Sequence, residues 1–227
     1  KSNIMGFYRG PNIVTDGLTF AVDAASERSY PGSGATAYDL VGSYNGTLTN
    51  GVGFDSADGG SFTFDGTDDY IPFPGVLDQE LIDQSKQLTI SLWIKPDVYG
   101  DKMPFSTGQN GANRIYYWTV GGLNTWRING YTSTTGHGTL PVVGTWYNTT
   151  VVINQGGVAV YLNGEPDYTG TYSSYTTQTM ATLGRHGSSS LYSYDGNISS
   201  VLIYDGKSLT AAEVKQNYNA IKSRFGL

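Results

Sequence analysis

The densest group of reactive side chains is Asp65-Gly66-Thr67-Asp68-Asp69, three carboxylates in five positions. Ca²⁺ takes about six to eight oxygen ligands, often from acidic loops that add backbone carbonyls. If a cation binds here, Asp65, Asp68 and Asp69 are its ligands. The same residues also spell an Asp-Gly turn, in which the Asp side chain bonds the backbone two residues on and no metal is needed. Both readings stand at this point.

Hydrolytic chemistry has less to work with. Glycoside hydrolysis needs two facing carboxyl groups about 5–9 Å apart. The glutamates are Glu27, Glu80, Glu165 and Glu213. Glu213 is used by a helix cap, Glu165 follows a hairpin turn, and Glu27 and Glu80 fall in loops. The two histidines, His137 and His186, sit among glycine and serine with no nucleophile elbow nearby, and both read as exposed loop or rim positions. His186, in Arg185-His186-Gly187, is placed to bond a sugar hydroxyl or line a subunit interface.

Aromatic side chains offer another chemistry, because sugars stack their apolar faces on Tyr and Trp while amides, guanidinium groups and imidazoles meet their hydroxyls. Asn113 and Arg114 lead into Tyr116 and Trp118, Tyr168 and Tyr172 lie in a Thr/Ser-rich stretch, and Tyr192 follows a serine run. With His186, these form the candidate carbohydrate-binding set. Alternating tyrosines are also common in sheets, so some of the aromatics in these segments must be core or cross-strand residues.

The elements that position these residues are short strands. Thirty-one glycines, 18 tyrosines and 14% charged residues in a chain of 227 describe an all-β protein rich in tight turns. The segment 88–95 alternates, with Leu88, Ile90, Leu92 and Ile94 on one face and Trp93 on the other. Strands are expected at 146–153 and 158–162, the second running into the hairpin signal Asn163-Gly164. Shorter ones are expected at 61–64, 70–73, 114–120, 125–128 and 181–184. In the last strand, strict alternation places Ile198, Ser200, Leu202 and Tyr204 together, opposite Ser199, Val201 and Ile203. A capping box, Thr210 with Glu213, then starts a C-terminal helix.

Residues 1–15 contain no periodic segment and read as an extended arm, whose Phe7, Tyr8 and Ile13 are available to anchor a neighbouring chain. Residues 16–227 read as one domain. The net charge of −6 supplies no basic surface for nucleic acid, and no segment approaches the roughly 20 apolar residues of a membrane span. Neither nucleic-acid binding nor membrane insertion is expected. The absence of cysteine excludes disulfides and thiolate metal sites.

In order and spacing, Phe64-Asp65-Gly66-Thr67-Asp68-Asp69-Tyr70-Ile71, the strand 88–95 with Pro96, the segment from Trp146 through Asn163-Gly164, Leu183-Gly184 and the closing strand and helix resemble the concanavalin A-like lectin/glucanase superfamily, and within it the laminin G-like jelly rolls. The resemblance implies a two-sheet antiparallel β-sandwich with a short C-terminal helix, glycan binding through loops at one rim, and in some members Ca²⁺. The Glu-x-Asp-x-Glu motif of the superfamily's glucanases is absent, and Ser199-Ser200 stands where many members carry an acidic pair. The segments 16–34 and 216–227 resemble a subset found in bacteriophage structural proteins, which implies a virion-surface or extracellular setting.

The resulting expectation is a non-catalytic, virion-associated module that binds host-surface glycan, alongside other virion proteins and as a homo-oligomer. A capsid or tail decoration protein acting through protein contacts is the alternative. A glycoside hydrolase is the third reading.

Overall fold

A computed structural model describes residues 11–77, 87–98, 100–107, 115–120, 123–128, 134–138, 142–171, 179–187 and 190–227, with backbone alone for most of 115–138. The strands in chain order are β1 (Phe20–Asp23), β2 (Thr36–Ala37), β3 (Gly46–Thr47), β4 (Gly53–Asp55), β5 (Ser61–Asp65), β6 (Ile71–Phe73), β7 (Gln87–Pro96) and β8 (Lys102–Thr107). They continue with β9 (Ile115–Val120), β10 (Leu123–Ile128), β11 (Thr134–Gly138), β12 (Tyr147–Asn154), β13 (Gly157–Leu162), β14 (Glu165–Thr171), β15 (Ala181–Leu183) and β16 (Asp195–Asp205). Helix α1 (Ala211–Ile221) follows.

Two antiparallel sheets face each other. The larger runs β14-β13-β12-β7-β16-β5-β4, with β1 also paired to β16, and the smaller runs β11-β10-β9-β8-β15-β6. A two-stranded ribbon, β2-β3, forms a separate sheet that packs on β6. Alternation drives the layering. Leu88, Ile90, Leu92 and Ile94 of β7 enter the core with Val151 and Ile153 of β12 and meet Phe105, Trp126, Leu183, Ile71 and Phe73 from the smaller sheet. Each such fully buried side chain contributes roughly 1.5–3 kcal/mol. Trp126 is buried with its indole N–H donating to Thr149 Oγ1 at 2.8 Å across the sandwich, so the ring's one polar group is satisfied.

The expected Asn163-Gly164 hairpin forms. Both residues have positive φ, 51° and 73°, as a two-residue turn between right-twisted strands requires. The last strand departs from strict alternation. Ile198 joins Val201 and Ile203 in the main core instead of siding with Leu202 and Tyr204, because the pairing of β16 with β7 shifts between Ile198 and Ser200. One extra residue at a bulge carries everything before it to the opposite face.

The outer face of the larger sheet is covered by the C-terminal segment. Thr210 accepts from the Glu213 N–H, while the Thr210 N–H donates to Glu213 Oε2 at 2.8 Å, so the capping box is complete. Helix α1 lays Tyr218 on Trp93, with ring centroids 5.5 Å apart and planes 9° from parallel. Phe225 packs on both Trp93 and Trp146. Arg224 forms a two-pronged ion pair with Asp23 at 2.7 and 2.8 Å.

Part of the expected arm belongs to this layer. Ile13 packs, partly buried, against the chain's own outer cluster, and Val14 is buried there. The Val14 N–H donates to Asn217 Oδ1 at 2.8 Å, and its carbonyl accepts from the Tyr204 hydroxyl at 2.7 Å. Phe7 and Tyr8 lie outside the described residues. No helix among the described residues is long and apolar enough to cross a membrane.

Candidate functional site

The acidic turn joins β5 to β6 at the rim where β16 begins. Asp65 Oδ1 accepts from the Thr67 N–H at 2.8 Å, the Asp-turn geometry foreseen from sequence. Asp69 folds back so that its Oδ2 accepts from the Asp65 N–H at 3.1 Å. Its side chain is buried, and Asp69 Oδ1 has no hydrogen-bond partner among the described residues. Burial pushes the Asp69 carboxyl above the ordinary carboxylate value. The Asp65 N–H opposes that shift, and the Asp65 and Asp68 charges add to it.

Oxygens of Asp65, Asp68 and Asp69 all lie within 4.8 Å of one another. Ligands on opposite sides of Ca²⁺, at bonds of about 2.3–2.6 Å, are separated by roughly that distance. The residues therefore fit the span of such an ion, and the orphaned Asp69 Oδ1 is the atom that gains most from one. The Asp68 carbonyl is occupied by the Asn50 side-chain amide, and the Thr67 carbonyl by the Ser193 hydroxyl. Water would have to complete the shell.

Ser199-Ser200 has no bearing on this turn. Ser199 lies on the far face of the larger sheet, where its hydroxyl donates to the Gly60 carbonyl and accepts from Arg224. The β16 residue that faces the turn is Asp195, the cross-strand partner of Asp65. Sequence reasoning missed it, because the register of β16 on β5 is a long-range property.

A groove of about 520 Å³ opens beside the turn, lined by Asn45, Thr47, Tyr70, Pro72, Pro74 and Arg185 among others. Strand parity builds it. Ile71 and Phe73 point into the core, while Tyr70, Pro72 and Pro74 line the groove. Arg185 crosses it with its guanidinium carbon 3.4 Å from the centre of the Tyr70 ring, a cation–π stack. Gly184 makes the crossing possible: its φ is +88°, and a Cβ there would come within 2.4 Å of the Phe64 ring and 2.7 Å of the Asp69 carbonyl oxygen.

The candidate set divides between places. Tyr192 is half-buried in a short 3₁₀ turn (Ser190–Tyr192) tied to the acidic turn through Ser193. His186 is on the same rim but buried, 6% exposed, contrary to the exposed-loop expectation; the accessible side chain is that of its neighbour Arg185. Tyr168 lies in β14, at the opposite edge of the larger sheet, half-buried against the core, so it cannot share a site with the others. Tyr116 and Trp118 fall in β9, with only their backbone described, and Asn113, Arg114 and Tyr172 lie outside the described residues. His137, expected in a loop, falls in β11 at the edge of the smaller sheet.

Residues 65–215, well over half of the chain, match a laminin G family model of the concanavalin A-like lectin/glucanases superfamily. The chain belongs to that superfamily. Its sandwich is similar to domain 4 of an extracellular arabinanase from Geobacillus stearothermophilus, solved with arabinotriose, at TM-score 0.68 and 20% identity over 88% of this chain and 98% of that one. Trypanosoma rangeli sialidase matches at TM-score 0.70 and 12% identity, over 93% of this chain but 34% of the enzyme. The receptor binding domain of botulinum neurotoxin type G matches at TM-score 0.63 and 15% identity, over 88% of this chain and 50% of that domain. At these identities the likeness is one of fold. No curated protein matches the chain.

Proposed function

We propose that this lectin/glucanase-like domain is a non-catalytic glycan-binding module, carried on a virion surface or otherwise outside the cell, that adsorbs to host-surface polysaccharide. The observation that carries the proposal is the groove beside the acidic turn. Tyr70, Pro72 and Pro74 offer flat apolar surface to sugar rings, while Arg185, Asn45 and Thr47 offer hydrogen bonds to hydroxyls. Its volume falls within the usual range for small-ligand sites, about 300–1,000 Å³. The arabinanase domain, solved with arabinotriose, supports the reading because it matches this chain over almost its full length.

The absence of catalysis is argued from the same lining. Among the described residues, no carboxylate borders the groove, whereas hydrolysis of a glycosidic bond requires two. Glu213 is committed to the helix cap, and Glu165 is ion-paired with Lys215. The phage-type setting is supported by the resemblance of segments 16–34 and 216–227. Ca²⁺, held by Asp65, Asp68 and Asp69, would fix the rim that shapes the groove.

Binding at one shallow groove is weak, and many copies on a particle strengthen it without new contacts. A tetramerised form of the chain applied to a glycan array should show selective binding that Arg185→Ala or Tyr70→Ala abolishes. Failure of the multivalent form to bind any glycan would sink the proposal.

A further inference from the structure

Arginine side chains in this fold have contrasting surroundings. Arg224 is fully engaged, gripping Asp23 with both terminal nitrogens. Arg185 has no such partner: among the described residues, no carboxylate pairs with it, and its Nε is buried without a hydrogen-bond acceptor. Stacking on Tyr70 occupies one face of the guanidinium and holds the plane in place. The N–H groups lie around its edge, and among the described residues no side chain or carbonyl accepts from them. Unsatisfied buried donors are costly and uncommon.

A planar guanidinium fixed on an aromatic ring is pre-organised for a carboxylate, which accepts two parallel N–H bonds from it. A neutral hydroxyl takes only one. We infer that the Tyr70–Arg185 groove is a subsite for a sugar residue bearing a carboxylate, such as a uronic acid. This inference rests on the glycan-binding reading and narrows its ligand class. Asn45 and Thr47 remain for the sugar hydroxyls, and Pro72 and Pro74 for the apolar face of the ring. Since the chain as a whole carries a net charge of −6, long-range attraction does not favour acidic polymers, and the selectivity has to come from this contact.

The test is a titration of the whole chain with oligogalacturonate and oligoglucuronate, with their carboxyl-reduced counterparts, and with sulfated oligosaccharides of similar length. The acidic forms should bind about tenfold more tightly than the reduced ones, the usual scale for a charge-assisted hydrogen bond. Arg185→Lys, which keeps the charge but loses the fork, should weaken binding of the acidic forms about fivefold or more and that of the reduced forms by clearly less. Tyr70→Phe, which keeps the ring, should retain the preference. Equal affinity for acidic and reduced forms overturns the inference while leaving the glycan reading intact, as does unchanged binding by Arg185→Lys. Preference for the sulfated series overturns the carboxylate assignment, and binding to none of the probes overturns the inference, with the glycan array deciding the broader reading. If Arg185→Lys does not fold, as judged by near-ultraviolet circular dichroism, the wild-type comparison of acidic and reduced ligands decides the matter alone.

Discussion

Asp69 carries the sharpest consequence of a single side chain. Burial raises its carboxyl above the ordinary value, so the folded state holds this proton to higher pH than the unfolded chain does. Its contribution to stability is therefore full below the unfolded value and lost as pH rises through the folded one. In chelator-containing buffer, Asp69→Asn should flatten the fall in melting temperature between about pH 4 and pH 7. Added Ca²⁺ should reverse the comparison, raising the melting temperature of the wild type and leaving that of Asp69→Asn where it was. A wild type indifferent to Ca²⁺ would remove the ion from the proposal. The turn itself was legible in the sequence, because Asp65 bonds a backbone group two residues away. The burial of Asp69 was not, since a loop well upstream brings Gly51 beside its Oδ1 and Asn50 onto the Asp68 carbonyl.

Among the elements, the closing helix gives the clearest measurement. Both hydrogen bonds of its capping box are present, so Thr210→Ala should cost about 1 kcal/mol. For a chain of this size that is a loss of roughly 2–4 °C in melting temperature. An unchanged melting temperature would mean that packing of Tyr218 and Phe225 on Trp93 holds the helix without its cap. Strand β7 was fully legible, its alternation placing four aliphatics inward and Trp93 outward as observed. Strand β16 was legible in extent but not in facing, because its bulge is set by its pairing with β7 and carries no local signature.

For the whole molecule, the network of Val14, Tyr204 and Asn217 ties the N-terminal segment to the last strand and the helix. Removing residues 1–15 should therefore lower stability by about 1–3 kcal/mol relative to removing residues 1–10, because the Asn217 Oδ1 and the Tyr204 hydroxyl proton lose the partners that Val14 supplies. Chemical denaturation of the two truncations compares them directly, and equal midpoints would show that the network contributes nothing. The same rule of distance governs what could be read in advance. Strands, hairpin turns and the helix cap follow from contacts a few residues apart, so periodicity, Asn163-Gly164 and Thr210-x-x-Glu213 announce them in the sequence. His186 was singled out there while Arg185 lines the groove, because a shift of one residue reverses the face a side chain presents. Tyr70 and Arg185 lie on separate strand ends, and only the pairing of β6 with β15, which sets the backbone register between them, brings the ring under the guanidinium.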